Sequence, residues 1–287
     1  MPKTKALLKS LIPPALWKIG HQIKRSRSLH NANNNDTRTV AFEGPFSSWK
    51  EAAACAGDGW DSQEITQKTL GSALQVRDGR GAFEQDGLLR EKIIYSETIL
   101  AFLILTLSHQ KATLDIIDFG GGFGVTYFQN RKLLRELGNI PIRWNIVERP
   151  IFQRLGETHF QTSEVLFFSS IEDALKNITK TVPIAALFSG SLQYIDDPFA
   201  LLRRLFVSQP LIIAFDRILT KPIGQHDAFV QHPDPEVYYR ACYPVWRFSK
   251  EELGRYMVEN GFELIEDFAS SPEKEFDHCG LIYIKRR

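Results

Sequence analysis

The chain has 287 residues, 43% of them hydrophobic and 24% charged; this suits one folded domain with an appendage, and 20 Phe and 5 Trp supply a sizeable core. Its net charge of +1 is uneven: the first 40 residues hold eight basic side chains and one acidic one, so residues 41–287 carry −6, which excludes a broad nucleic-acid face on the body. Cys55, Cys242 and Cys279 are odd in number and form no C-x-x-C pair, which excludes a disulfide framework and a thiolate zinc site.

Residues 1–28 read as a short basic helix, a Pro13-Pro14 break and a second basic helix, with Leu16, Ile19 and Ile23 at helical spacing and Trp17 beside them. Lys9 and the proline pair interrupt any apolar core of a secretory leader. The segment suits the anionic inner face of a membrane; the alternatives are a helix docked on its own domain or a partner, or a frayed basic tail. Residues 29–39 are polar and Asn-rich, so 1–39 form a basic helical N-terminal extension and linker. Residues 40–110 read as a lid or cap: Phe42, Phe46, Trp49 and Trp60 stand among turn signals, 49–55 is helical, and 91–108 is a strongly apolar helix for burial against a sheet. The apolar run 99–107 falls far short of the ~20 residues of a membrane span, and the chain as a whole reads as cytoplasmic.

Residues 111–287 alternate between two periodicities. Strands are expected at 114–119, 143–148, 165–168, 184–189, 211–216, 262–268 and 281–285, with helices at 126–137, 150–159, 171–177, 198–207 and 250–260. Five strand–helix alternations followed by two closing strands give a doubly wound α/β fold. It is a Rossmann-like, mostly parallel sheet of seven strands with helices on both faces.

The most informative stretch is I-I-D-F-G-G-G-F-G, ending at Gly124. An apolar strand ends in Asp118 and is followed by Gly120, Gly121, Gly122 and Gly124, then by a helix; such a turn presents a nucleotide-like ligand to a helix N-terminus. The dinucleotide fingerprint needs a third glycine where this chain has Val125 or Tyr127, so a nicotinamide or flavin dinucleotide is disfavoured. Glu148 ends the next strand, 30 residues after Asp118, where an acid accepts both ribose hydroxyls of an adenosine; the plainer alternative is a surface pair with Arg149 or Arg154.

The D-x-G-x-G-x-G form resembles the first motif of class I S-adenosylmethionine (SAM) methyltransferases. The stretch S-G-S-L-Q-Y-I-D-D-P from Ser189 resembles the fourth-strand end of many small-molecule members. F-x-G-x-F-x-S-W from Phe42 to Trp49, Asp216-Arg217 and Y-P-V-W from Tyr243 to Trp246 extend the resemblance to members encoded among bacterial surface-polysaccharide genes. The resemblance covers about 42 to 287. It implies SAM as cofactor, held by Asp118, Gly120, Gly121, Gly122, Gly124, Glu148, Ser169, Ser170, Ser189, Gly190 and Ser191. More loosely, it implies a glycan or nucleotide-sugar acceptor. Ser170 has a second reading as a helix N-cap with Asp173 in capping-box position. The D/N-P-P-Y/F tetrapeptide of base methylation is absent.

Methyl transfer rests on positioning, but a hydroxyl acceptor needs its proton removed. Asp216, Arg217, His226, Asp227 and His232 follow the fifth strand; His226 is the preferred base, with Asp216 beside it. His226, Asp227 and His232 match no metal-ligand spacing, so no metal is expected. Gln193, Tyr194, Arg217, Tyr243 and Trp246 are expected at the acceptor, although the aromatic patch from Tyr238 to Trp246 suits core filling equally well. The leading expectation is an O-methyltransferase acting on a saccharide-like small molecule. The alternatives are another acceptor, lipid-linked included, and a non-catalytic scaffold of the same fold.

Overall fold

A computed structural model describes residues 40–57, 59–110, 113–136, 140–178, 183–268 and 277–286. The expected extension, 1–39, lies outside these, and so does its proposed membrane contact. The described chain opens with strand β1 (Val40–Phe46), helix α1 (Trp49–Cys55), a short 3-10 turn at Gly59–Asp61 and helix α2 (Gln63–Arg77). A hairpin of β2 (Phe83–Gln85) and β3 (Leu88–Arg90) precedes helix α3 (Glu97–His109). There follow β4 (Leu114–Phe119), α4 (Val125–Arg135), β5 (Ile142–Val147), α5 (Pro150–His159), β6 (Val165–Phe168), α6 (Ile171–Asn177) and β7 (Ala185–Ser189). Then come a 3-10 turn at Leu192–Tyr194, α7 (Pro198–Phe206), β8 (Ile212–Lys221), β9 (Asp227–Pro233), β10 (Tyr243–Ser249), α8 (Lys250–Glu259), β11 (Phe262–Phe268) and β12 (Asp277–Lys285).

The order β6-β5-β4-β7-β8 is all parallel; β12 runs antiparallel beside β8, and β11 pairs antiparallel with β12. These seven strands are the expected ones. Among the described residues the sheet nevertheless has ten, because β1, β9 and β10 form an antiparallel ribbon that joins it where Phe248 and Ser249 of β10 pair with Thr220 and Lys221 of β8. The expected loop after residue 216 is therefore a correction: β8 runs on to Lys221. The start of the ribbon is masked in the sequence by the Gly44-Pro45 pair, which coincides with a register shift between Glu43 and Phe46. The expected helix at 91–108 starts only at Glu97, capped by Ser96, whose side chain accepts from the Ile99 N–H.

Alternation along the strands builds two cores. Leu114 and Ile116 of β4, with Ile212 and Ala214 of β8, face Phe102, Tyr127 and Phe152 from α3, α4 and α5. Ile117, Ile213 and Phe215 point the other way, onto Ala174, Leu202 and Met257 from α6, α7 and α8. Burial on both faces explains why these strands read as continuous apolar runs. It leaves the carboxyl ends of β4, β5, β6, β7 and β8 as the edge where polar residues gather.

Candidate functional site

A cavity of about 640 Å³ opens at that edge. Phe119 to Gly122 form its floor, Glu148 and Ser169 one side, Ser189 to Ser191 the other. Gly120, Gly122 and Gly124 all have positive φ, at 70°, 57° and 87°, so the loop requires glycine. Close approach fixes the sequence further. A Cβ on Gly120 would lie 2.5 Å from the Ser191 Cβ, and one on Gly121 would lie 2.6 Å from Asp118 Oδ2.

Asp118 lies buried beneath the loop. The Trp144 indole N–H donates to Oδ2 at 2.8 Å, and Oδ1 has no partner among the described residues. Burial pushes its carboxyl up to about 7, against the Trp144 hydrogen bond and with help from the charges of Glu148 and Asp216. Glu148 accepts the Gly122 N–H at 3.1 Å and the Arg149 N–H at 2.9 Å, and burial raises its pKa. Gly124 is off the cavity wall and serves as the left-handed N-cap of α4. Ser169 lines the wall, whereas Ser170 is turned to α6: it accepts the Asp173 N–H at 3.1 Å and donates to Asp173 Oδ2 at 2.7 Å.

Across the floor, Ser191 donates to the Phe119 carbonyl at 2.7 Å and Ser189 donates to Asp216 Oδ2 at 2.6 Å. Ser96 donates to the other Asp216 oxygen, Oδ1, at 2.6 Å. Asp216 is 4% exposed, so this carboxylate is a tie between α3 and the strand ends. Arg217 follows with φ 51°, a strained value for a long side chain. Its guanidinium lies over Gly190, where a Cβ would come within 3.0 Å of Nη2, and reaches Asp86 at 3.4 Å.

A side lobe of about 280 Å³ continues from the cavity past Arg217. Trp60 stacks on Tyr243 with ring centroids 4.4 Å apart and meets Tyr194 edge-on at 4.9 Å. The Tyr194 hydroxyl donates to Gln231 Oε1 at 3.0 Å, and Gln231 donates to the Tyr243 hydroxyl at 3.4 Å. Gln193 donates to the Arg217 carbonyl at 3.1 Å; its Oε1, like the Trp60 indole nitrogen, is buried without a partner among the described residues.

Besides Gly124 and Ser170, two more expected residues are not brought to the cavity. His226 accepts the Ser249 N–H at Nδ1 (2.9 Å) and stacks on Phe199 at 5.3 Å, away from the cavity, and burial lowers its pKa. Trp246 stacks on Trp49 at 5.3 Å and donates to the Ile195 carbonyl at 3.1 Å, so it ties α1 to the ribbon instead of facing a ligand. Asp227 is held by Lys221 and Arg247 at 2.7 and 2.8 Å, and His232 lies 3.3 Å from Glu43. Among the described residues no group of three or more His, Cys, Asp or Glu converges as a metal site, and no helix is long and apolar enough to cross a membrane.

Sequence reasoning missed Glu84 and Asp86 as wall residues, while Tyr239, also on the wall, fell within the aromatic patch divided between acceptor and core. A signal for the first two exists: Asp86-Gly87 between F-E-Q and L-L-R is a two-residue hairpin turn, and both residues have positive φ, 53° and 79°.

Comparison with known protein families finds no match, and comparison with curated proteins finds none. Among solved structures, the chain is similar to 1,6-didemethyltoxoflavin-N1-methyltransferase of Burkholderia thailandensis, bound to 1,6-didemethyltoxoflavin and S-adenosylhomocysteine (14% identity, 89% of this chain and 99% of that one, TM-score 0.46). It is also similar to an S-adenosylmethionine-dependent methyltransferase from Clostridium acetobutylicum (9% identity, 68% and 93%, TM-score 0.41). A third similar structure is the N-terminal domain of EvdMO1 with S-adenosylhomocysteine and D-fucose (14%, 74% and 95%, TM-score 0.42). All three TM-scores lie below 0.5, so the functional reading rests on this chain's own residues.

Proposed function

We propose that this chain is a class I SAM-dependent methyltransferase that methylates a hydroxyl of a small saccharide-like acceptor. The observation that carries the reading is the glycine floor closed by Glu148. Two positive-φ glycines on the floor, Gly120 and Gly122, let the backbone approach a ligand, and the carboxylate at the end of the next strand is already bonded to the loop's own amide. The residues present fit the cofactor. Gly120 and Gly121 leave no room for a side chain and Gly122 has a positive φ; in this reading Glu148 accepts ribose hydroxyls, Ser169 meets the adenine ring, and Ser189 to Ser191 flank the reacting end. SAM, when bound, supplies an electrophilic methyl group on a sulfonium.

The chain's task is then to orient and to exclude water. The lobe beside Arg217 offers ring faces, phenol hydroxyls and amide groups, which suit the apolar face and hydroxyl rim of a sugar. Trp60, Tyr194, Tyr239 and Tyr243 form the faces; Gln193 and Arg217 supply the polar contacts.

Calorimetric titration with SAM and with S-adenosylhomocysteine tests the reading. Micromolar binding is expected, weakened roughly ten- to hundredfold in Glu148→Ala, which loses two charge-assisted hydrogen bonds. A folded protein that binds neither ligand sinks the proposal and leaves a scaffold of the same shape.

A further inference from the structure

We propose that Glu84 takes the proton from the acceptor hydroxyl, at the wall shared by the cavity and its side lobe; this deepens, and rests on, the methyltransferase reading above. Glu84 stands on β2 and forms part of the wall beside Trp60, Tyr194 and Arg217. It is 3% exposed. Its Oε1 accepts the Gly87 N–H at 2.6 Å, while Oε2 has no partner among the described residues. A buried carboxyl oxygen left bare is costly, and an acceptor hydroxyl at this wall supplies the partner it lacks.

The other acids near the cavity are placed differently: Asp118 also has a bare oxygen but lies beneath the loop, and Glu148 is given to the ribose hydroxyls in the reading above. Both Asp216 oxygens take serine hydroxyls, and both Glu148 oxygens take backbone amides. Asp61 and Asp86 are exposed and paired with Arg149 and Arg217 at 3.0 and 3.4 Å. The Tyr194 and Tyr243 hydroxyls are bonded to Gln231.

Burial holds the Glu84 carboxyl up at about 8; Asp86 adds to this, while the Gly87 amide and Arg217 oppose it. Around the hairpin, Lys68 of α2 is bonded to the Val237 and Tyr238 carbonyls and Arg90 of β3 sits across from Phe83. The helix α4, also packed on β2, carries Arg131 along its length and Lys132 and Arg135 in its last turn. Among the described residues Glu84 forms no salt bridge, and Arg217 acts on it only from a distance. A base poised near neutral pH is the useful one. In the step, the acceptor O–H bond breaks and its proton goes to Glu84 Oε2. The oxygen's electron pair forms the new bond to the methyl carbon, and the carbon–sulfur pair returns to sulfur. Beside a positively charged methyl donor Glu84 ionises more readily; beside the neutral thioether product it keeps its proton.

The test needs no acceptor. Proton release on binding SAM and on binding S-adenosylhomocysteine is measured calorimetrically at about pH 7, in two buffers of different ionisation enthalpy. Groups near the amino-acid end of the ligand, Asp118 included, respond alike to both, so the difference isolates the sulfonium. In the unaltered chain SAM is expected to release about half a proton more than S-adenosylhomocysteine. Glu84→Gln should abolish the difference while leaving the affinity for SAM within about threefold. Ser72→Ala breaks the 2.7 Å bond from Ser72 to the Gly87 carbonyl at the same turn, yet keeps the carboxyl, and should preserve the difference. If SAM binds and the difference persists in Glu84→Gln, or is absent from the unaltered chain, Glu84 is not the base and the cofactor reading stands. If neither ligand binds, both proposals fall.

Discussion

At the scale of single residues, Asp118 illustrates how a motif reads one way and acts through another. Its sequence position beside three glycines points at a ligand, but its carboxyl lies beneath the loop, wedged against Gly121 and anchored by Trp144. A carboxyl raised to about 7 in the folded chain binds its proton more tightly there than when unfolded. Its stabilising contribution is therefore full below about pH 4, the unfolded value, and is lost as pH rises through about 7. Asp118→Asn should flatten this part of the pH–stability curve: relative to the unaltered chain, its melting temperature should gain between about pH 5 and pH 8. An unchanged slope in a melting series would show that Asp118 titrates normally. That the loop glycines and Glu148 meet at one cavity was legible because glycine spacing and strand-end acids are local signals. His226 and Trp246 misled because a loop histidine and an aromatic patch carry no sign of direction. Only the fold shows one ring buried on Phe199 and the other on Trp49.

At the scale of elements, the seven strands of the parallel core and its closing hairpin were legible because burial on both faces leaves long apolar runs. The ribbon was not. Its pairing links Val40 to Pro233 and Phe42 to Gln231, and contacts that distant in sequence leave no periodic trace. The β2–β3 hairpin was short enough to pass as a turn. Its Asp86-Gly87 corner offers a two-sided test. Gly87 has φ 79°, with Lys68 Cγ only 3.2 Å from where a Cβ would lie, so Gly87→Ala should cost about 1–2 kcal/mol. Gly71 in α2 has nothing within 4 Å of that point, so Gly71→Ala should stabilise by about 0.5–1 kcal/mol. Denaturant titration of the two variants measures both signs.

At the scale of the whole molecule, the cap closes over the sheet edge through a few aromatic contacts. The Trp49–Trp246 stack joins the two sequence elements, F-x-G-x-F-x-S-W and Y-P-V-W, that were separately conspicuous. Trp49→Ala should cost about 2–4 kcal/mol and speed proteolytic cleavage within 40–60, since the half-buried ring packs α1 onto the ribbon. Equal cleavage rates would mean that the cap is held elsewhere. A change in texture near residue 110 was visible, but β1 of the expected cap pairs with β9 in the sheet. That the cap donates Trp60, Glu84 and Asp86 to the cavity was not visible, because the sequence does not say which way a cap folds.

Strand β8 belongs to two neighbourhoods. Up to Asp216 it runs beside β7 in the parallel core, and at Thr220 and Lys221 it carries the ribbon, with the strained Arg217 at the change. The glycine floor lies on the first side and the phenol-lined lobe largely on the second. On the proposed reading, changes in residues 227–249 alter one wall of the acceptor lobe while leaving the glycine floor untouched, so ligand range and methyl supply are free to evolve at different rates.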